Sequence, residues 1–326
     1  MSPRTIRIVT PAPRGSRTGN RVTALRWAAL LRQLGARVRV RTAWQGEPCD
    51  VLVAVHAAKS AASVLACAAQ QPGARIVVLL AGTDVYPTFA PDAGTLLALE
   101  RADALVALQP LAAAVLPVGL QSKVRTIVQS ATAARVVSGR PASPFRACVL
   151  AHLRPVKDPL LPFAALARLG PEPPLELVLA GRALVPELDL AVRAAVAADP
   201  RSRWLGEVPR RTARELLASS HVCLVPSAGE GGANVVSEAI AAGTPVLASA
   251  VPGNLGLLGA DWPGLFPAGD AAALAALLHR AAVDAAFYQR LVAQTTALQA
   301  MVAPAREREA WAQLLAELDA LGQDGR

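Results

Sequence analysis

Short β-branched runs alternate with Ala/Leu-rich stretches of helical length from one end of the chain to the other. This alternation restricts the fold more than any other feature, because strands joined by crossover helices lie parallel in one sheet. Strand-like runs fall at residues 6–10, 37–43, 51–55, 75–81, 104–108 and 124–128, with helical stretches such as 21–34 and 57–70 between them. The pattern breaks at Ser138-Gly139-Arg140-Pro141-Ala142-Ser143-Pro144, whose composition suits a linker. It restarts with runs at 146–151, 175–180, 222–226, 245–249 and 265–267, and with helical stretches at 160–169, 186–198, 211–219, 234–242 and 271–282. Two further helical stretches, 285–299 and 305–321, close the chain. The expectation is an α/β chain of two Rossmann-like parallel-sheet domains facing across a cleft. The domains span residues 1–140 and 141–304, and a C-terminal helix at 305–326 packs back on the first. Functional residues then belong in the loops that follow strands.

Composition narrows the function. The 326 residues are 53% hydrophobic and 17% charged, which excludes a disordered chain. Cys49, Cys67, Cys148 and Cys223 form no C-x-x-C pair, and His56, His152, His221 and His279 form no helical metal motif. The expectation is free thiols and no metal site. The uncharged stretches at 104–122 and 239–260 are interrupted by proline and glycine and do not read as membrane spans. With no signal peptide ahead of the first strand, a cytoplasmic protein without a membrane partner is expected. The net charge is +9, and all but three of the 33 basic residues are arginine. They are scattered and not interleaved with stacking aromatics, so small anionic substrates are favoured over nucleic acid.

Four segments carry chemistry. The first runs from Pro226 to Val246 and reads as strand, glycine loop, helix, glycine stop and strand. Gly231, Gly232, Ala233, Asn234 and Val235 bring open backbone N–H groups to a helix start, where phosphate binds. Glu230 lies in that loop and Glu238 inside the helix. The second is His152-Leu153-Arg154-Pro155-Val156-Lys157-Asp158-Pro159, where Arg154 and Lys157 are suited to neutralising a departing diphosphate. The third is the turn after the first strand, with Arg14, Arg17, Thr18, Gly19 and Asn20. It is neither a Walker loop nor a G-x-G-x-x-G fingerprint, and it reads equally as an anion site or as a turn with solvated arginines. The fourth combines His56 and Lys59 with Gly82, Thr83 and Asp84, again after strands, where Asp84 reads as a ligand contact or a turn cap.

The E-x7-E spacing of Glu230 and Glu238, followed by Gly243-Thr244-Pro245-Val246, resembles the donor-site motif of the GT-B glycosyltransferases of glycosyltransferase family 4. Trp204-Leu205-Gly206-Glu207-Val208 and Leu265-Phe266-Pro267-Ala268-Gly269-Asp270 resemble the segments flanking that motif. The resemblance implies a GT-B fold in which Glu230 contacts the transferred sugar and Glu238 the nucleotide ribose. It places an Arg and a Lys in the second segment. Lys157 matches, while His152 stands at the usual Arg position and Arg154 two residues later, so either takes that role. It also implies that the glycine loop after the first strand belongs to the acceptor domain, and that catalysis needs no metal or cofactor, consistent with the lack of a D-x-D motif.

The loop Glu230-Gly231-Gly232-Ala233-Asn234-Val235-Val236-Ser237-Glu238, with Gly82-Thr83-Asp84-Val85-Tyr86 and the compact second segment, is similar to the selenosugar synthases of selenoneine biosynthesis. That narrower resemblance implies transfer of a sugar, N-acetylglucosamine in particular, from a UDP-sugar to selenophosphate. It further implies hand-over of the selenosugar to a downstream enzyme of that pathway. The alternative is a family 4 transferase using a hydroxyl acceptor.

Overall fold

Burial along each strand shows its place in a sheet. Val51–Val55 is buried at all five positions, as a strand covered on both faces must be. Arg37–Arg41 exposes every arginine and so suits an edge. The computed structural model describes residues 3–16, 18–82, 84–86, 89–133 and 139–323. It divides into two compact units: Met1–Gln129 with Pro304–Arg326, and Ser130–Ala303.

The first unit runs β1 (Thr5–Val9), α1 (Gly19–Gln33), β2 (Arg37–Arg41), β3 (Val51–Val55), α2 (Ala57–Gln70), β4 (Arg75–Leu80), α3 (Ala93–Arg101), β5 (Ala104–Ala107), a 3-10 turn (Pro110–Val115), α4 (Val118–Gln121) and β6 (Val124–Thr126). Its sheet is parallel, in the order β2-β1-β3-β4-β5-β6. Alternate residues of β3 feed opposite cores: Val51, Val53 and Val55 meet Trp27 and Leu31 on one face, and Leu52 and Ala54 meet Val64 and Leu99 on the other.

The second unit runs β7 (Phe145–Leu150), a 3-10 turn (Pro155–Lys157), α5 (Leu161–Leu166), β8 (Leu175–Ala180), α6 (Pro186–Ala198), β9 (Ser202–Trp204), α7 (Arg210–Ala218), β10 (Val222–Val225), α8 (Asn234–Ala242), β11 (Val246–Ser249), α9 (Pro252–Leu258), β12 (Leu265–Phe266), α10 (Ala271–Val283), α11 (Ala285–Leu298) and a final 3-10 turn (Gln299–Val302). Its sheet is also parallel, in the order β12-β11-β10-β7-β8-β9.

The last helix, α12 (Pro304–Gln323), belongs to the first unit. Trp311 meets Trp27 edge-on at 4.8 Å, and the Trp27 indole N–H donates to the buried Glu307 carboxylate at 2.7 Å. The seam between units lies at Gln129/Ser130, ahead of the expected boundary at residue 140. The reason is local bonding. Ala131 N–H donates to the Val302 carbonyl, and the Arg140 guanidinium donates to the carbonyls of Ser220 and Gly243. Beside them, the His221 ring stacks on Phe145 and accepts a hydrogen bond at Nδ1 from Arg146 N–H. Burial, and then the Arg140 charge, push its imidazole below the ordinary histidine value.

Candidate active site

Strand order locates the site in each unit. In the second sheet the chain begins at β7, steps through β8 and β9 on one side, then returns to β10, β11 and β12 on the other. The loops after β7 and β10 therefore diverge at a topological switch point, where open parallel sheets bind ligands. Those loops carry the Arg154–Lys157 and Glu230 segments.

The two loops are tied together. Ala228 N–H donates to the Val156 carbonyl at 2.9 Å. Lys157 Nζ forms an ion pair with Glu230 Oε1, and Ser227 Oγ donates to the same oxygen at 2.6 Å. The Lys157 and Glu230 side chains are 18% and 9% exposed, so the pair is screened only weakly by solvent. Arg154 opens the 3-10 turn Pro155–Lys157, is exposed, and makes no ion pair among the described residues. His152 is committed differently: its Nδ1 accepts from Arg182 N–H at 3.2 Å. Asp158, directly after Lys157, adopts a left-handed backbone with φ 41°, and burial raises its carboxyl.

Gly231, Gly232 and Ala233 lead into α8, which opens at Asn234 and Val235 with no side-chain cap. Val236 N–H turns back to the Ala233 carbonyl at 2.9 Å, and a helix start without a side-chain cap is a setting in which backbone N–H groups and the helix dipole favour an anion. Glu238 stands on the same helix, half-buried and 3.9 Å from the exposed Arg210, a pair open enough to solvent to contribute about 1 kcal/mol at most. Two glycines shape this floor. A Cβ on Gly181, whose φ is +150°, would meet the Ala151 carbonyl oxygen at 1.7 Å. One on Gly253 would meet the Glu230 carbonyl oxygen at 2.1 Å. Neither glycine, nor the bond made by Ser227, stands out in the sequence. A glycine directly after a strand and a Pro-Gly pair at a helix start are the available signals.

In the first unit the switch point lies between β1 and β3. The loop after β1 leads into α1 through Thr18, Gly19 and Asn20. The Thr18 hydroxyl pairs with Ser16 Oγ at 2.9 Å and does not cap the helix. Arg17 and Thr83 lie outside the described residues. His56 closes β3 with φ 75°, a strained backbone for a residue other than glycine, and its side chain is buried. Burial lowers the imidazole below its ordinary value, and Asp84 at 3.5 Å opposes that. Lys59, in the first turn of α2, is exposed.

The Asp84 carboxylate is fully buried and accepts from the N–H groups of Ala57, Ala81 and Gly82 at 2.7, 3.1 and 2.8 Å. These bonds hold the His56 and Gly82 turns together, the turn-capping role that was one of the two expected for Asp84. Among the described residues no three His, Cys, Asp or Glu side chains are grouped to hold a metal ion, and no single helix is long and apolar enough to cross a membrane.

Residues 145–284 match the family model described as glycosyl transferases group 1. No curated protein matches the chain in sequence. Solved structures match almost all of it. Sucrose-phosphate synthase from Thermosynechococcus elongatus superposes with a TM-score of 0.80 at 20% identity, covering 98% of this chain and 100% of its own. Anabaena HepE, solved with UDP and glucose, gives 0.75 at 16% identity, covering 96% and 100%. The pneumococcal O-GlcNAc transferase GtfA, solved with UDP and GlcNAc, gives 0.64 at 16% identity, covering 82% of this chain and 56% of its own. The solved structures show the fold, that of the GT-B glycosyltransferases, and residues 145–284 carry the match to glycosyl transferases group 1. The match in sequence lies within the second unit, the one that holds Lys157, Glu230 and Glu238.

Proposed function

We propose that the protein transfers a sugar, N-acetylglucosamine, from its UDP conjugate to selenophosphate, forming a carbon–selenium bond. The observation that carries the donor half is the Lys157–Glu230 pair, set at a switch point beside the uncapped start of α8. In this reading the diphosphate lies on the N–H groups of Gly231–Val235 (residues 231–235), with Arg154 and Lys157 taking up charge as UDP departs. Glu230 holds the sugar and Glu238 the ribose diol. HepE and GtfA, each solved with UDP, support the choice of nucleotide.

Selenium attacks the anomeric carbon, and the bond from that carbon to the UDP oxygen breaks, its electron pair leaving on UDP. Selenophosphate is already an anion, so no base is needed. The first unit supplies the acceptor contacts: Arg17, Thr18, Gly19 and Asn20 before and at the start of α1, then His56, Lys59, Gly82 and Thr83, with Asp84 bracing the turn. The resemblance of the Glu230–Glu238 and Gly82–Tyr86 segments (residues 230–238 and 82–86) to selenosugar synthases supports selenophosphate as the acceptor. The reaction is placed in the cytoplasm, with no metal and no membrane partner, and its product passes to the next enzyme of selenoneine biosynthesis.

One observation favours a hydroxyl acceptor instead. Burial lowers the His56 imidazole and Asp84 lies 3.5 Å from it, an arrangement able to take a proton from a hydroxyl. The donor half of the proposal is tested by calorimetry with UDP. Glu238→Ala is expected to weaken UDP binding by about 1.5–3 kcal/mol, or roughly 10- to 150-fold in Kd. Unchanged affinity contradicts the assignment of Glu238 to the ribose.

A further inference from the structure

The Glu230 carboxylate is asymmetrically engaged. Oε1 receives both Ser227 Oγ, at 2.6 Å, and Lys157 Nζ. Oε2 has no partner among the described residues. A carboxylate with one oxygen saturated by two donors presents the other in a fixed direction. We infer that Ser227 is a positioning residue: with Lys157 it commits Oε1 and so turns Oε2 toward the donor sugar. The inference rests on the donor-site reading above and adds a residue that touches neither sugar nor nucleotide.

Ser227 is itself locked. It is 2% exposed, and its carbonyl accepts from Ser249 Oγ at 2.5 Å. Asn254, fully buried, donates through Nδ2 to the Ser249 carbonyl at 3.0 Å and to its hydroxyl at 3.3 Å. Gly253, next to Asn254, lets α9 press on the Glu230 backbone. The start of α9 thus braces Glu230 through the main chain, while Ser227 orients the side chain. Ser249 and Asn254 thus fix the Ser227 main chain from which the hydroxyl reaches Glu230, and a positioning group requires such support.

Removing one oxygen atom leaves Oε1 on the flexible Lys157 alone, and the carboxylate regains rotation about its last bond. The consequence falls on the sugar and not on UDP, whose ribose is assigned to Glu238. Ser227→Ala is therefore expected to lower kcat for a UDP-sugar by about tenfold or more, while the Kd for UDP stays within about twofold. Steady-state kinetics with UDP-N-acetylglucosamine and calorimetry with UDP, on the same preparations of native and variant protein, decide it. An unchanged kcat overturns the inference. A loss of UDP affinity in parallel with kcat also overturns it, since that is the mark of a merely structural residue. If native protein neither binds UDP nor turns over the UDP-sugar, the donor-site reading fails first and takes the inference with it.

Discussion

Lys157→Ala is expected to turn over a UDP-sugar about 10²-fold more slowly than native protein, or slower still. In the proposed reaction the ammonium meets the charge that develops on the departing diphosphate. It projects from the loop after β7 and is held by Glu230 from the loop after β10. Its charge is also what makes a carboxylate tolerable at that depth. Deleting one partner of a buried pair leaves the other without compensation, so a fall in thermal stability accompanies the loss of rate. Lys157→Arg keeps the charge and recovers most of the stability. It recovers less of the rate, because a planar guanidinium does not reproduce the point contact of an ammonium. Steady-state kinetics with thermal unfolding separates the two effects. Near-native turnover by Lys157→Ala reduces the residue to a structural ion pair.

Single added methyl groups at Gly253 and Gly181 are expected to be nearly as damaging. Gly253→Ala drives a Cβ to within 2.1 Å of the Glu230 carbonyl oxygen, and Gly181→Ala drives one to within 1.7 Å of the Ala151 carbonyl oxygen. Both obstacles are backbone, so no side-chain rotation relieves them. Either α9 and the loop after β8 move away, or the two site loops do. Overpacking of this kind costs about 1–3 kcal/mol, and a displacement of the site by about 1 Å costs on the order of 10²-fold in rate. Gly119→Ala is the control, since nothing lies within 4 Å of a Cβ there. The measurements are the unfolding midpoint and kcat for each variant. Native-like values at Gly253 and Gly181 contradict the close packing described.

The sheet positions were legible because hydrophobic runs and crossover helices obey simple periodicities. The expected run at residues 51–55 coincides with β3, and the helical stretch at 234–242 coincides with α8. β9 escaped because Ser202–Trp204 is three residues long, sits at a sheet edge, and has no apolar run. The seam between units escaped for another reason. Proline and glycine mark where a chain turns, whereas a boundary depends on what the neighbouring residues bond to, as Arg140 shows.

At the candidate site, spacing and resemblance singled out Glu230, Glu238, Lys157 and the glycine loop, and the structure brings Lys157 and Glu230 together. The Ser227 bond and the close approach of Gly253 were not legible. Each depends on which atoms of distant segments meet, and residue type alone does not encode that. His152 offers a mixed case. Its position in the motif suggested a cation, but its ring accepts a backbone hydrogen bond from Arg182 and leaves Arg154 as the exposed charge.

Mass spectrometry of the products formed from UDP-N-acetylglucosamine and selenophosphate tests the proposed reaction most directly, with a hydroxyl sugar acceptor run in parallel. The account predicts release of UDP together with a new species carrying the selenium isotope pattern and the mass of the sugar, dependent on Lys157 and Glu230. A glycosylated hydroxyl acceptor without any selenium-containing product contradicts selenophosphate as the acceptor. No UDP release with either acceptor, at any protein concentration, contradicts sugar transfer altogether.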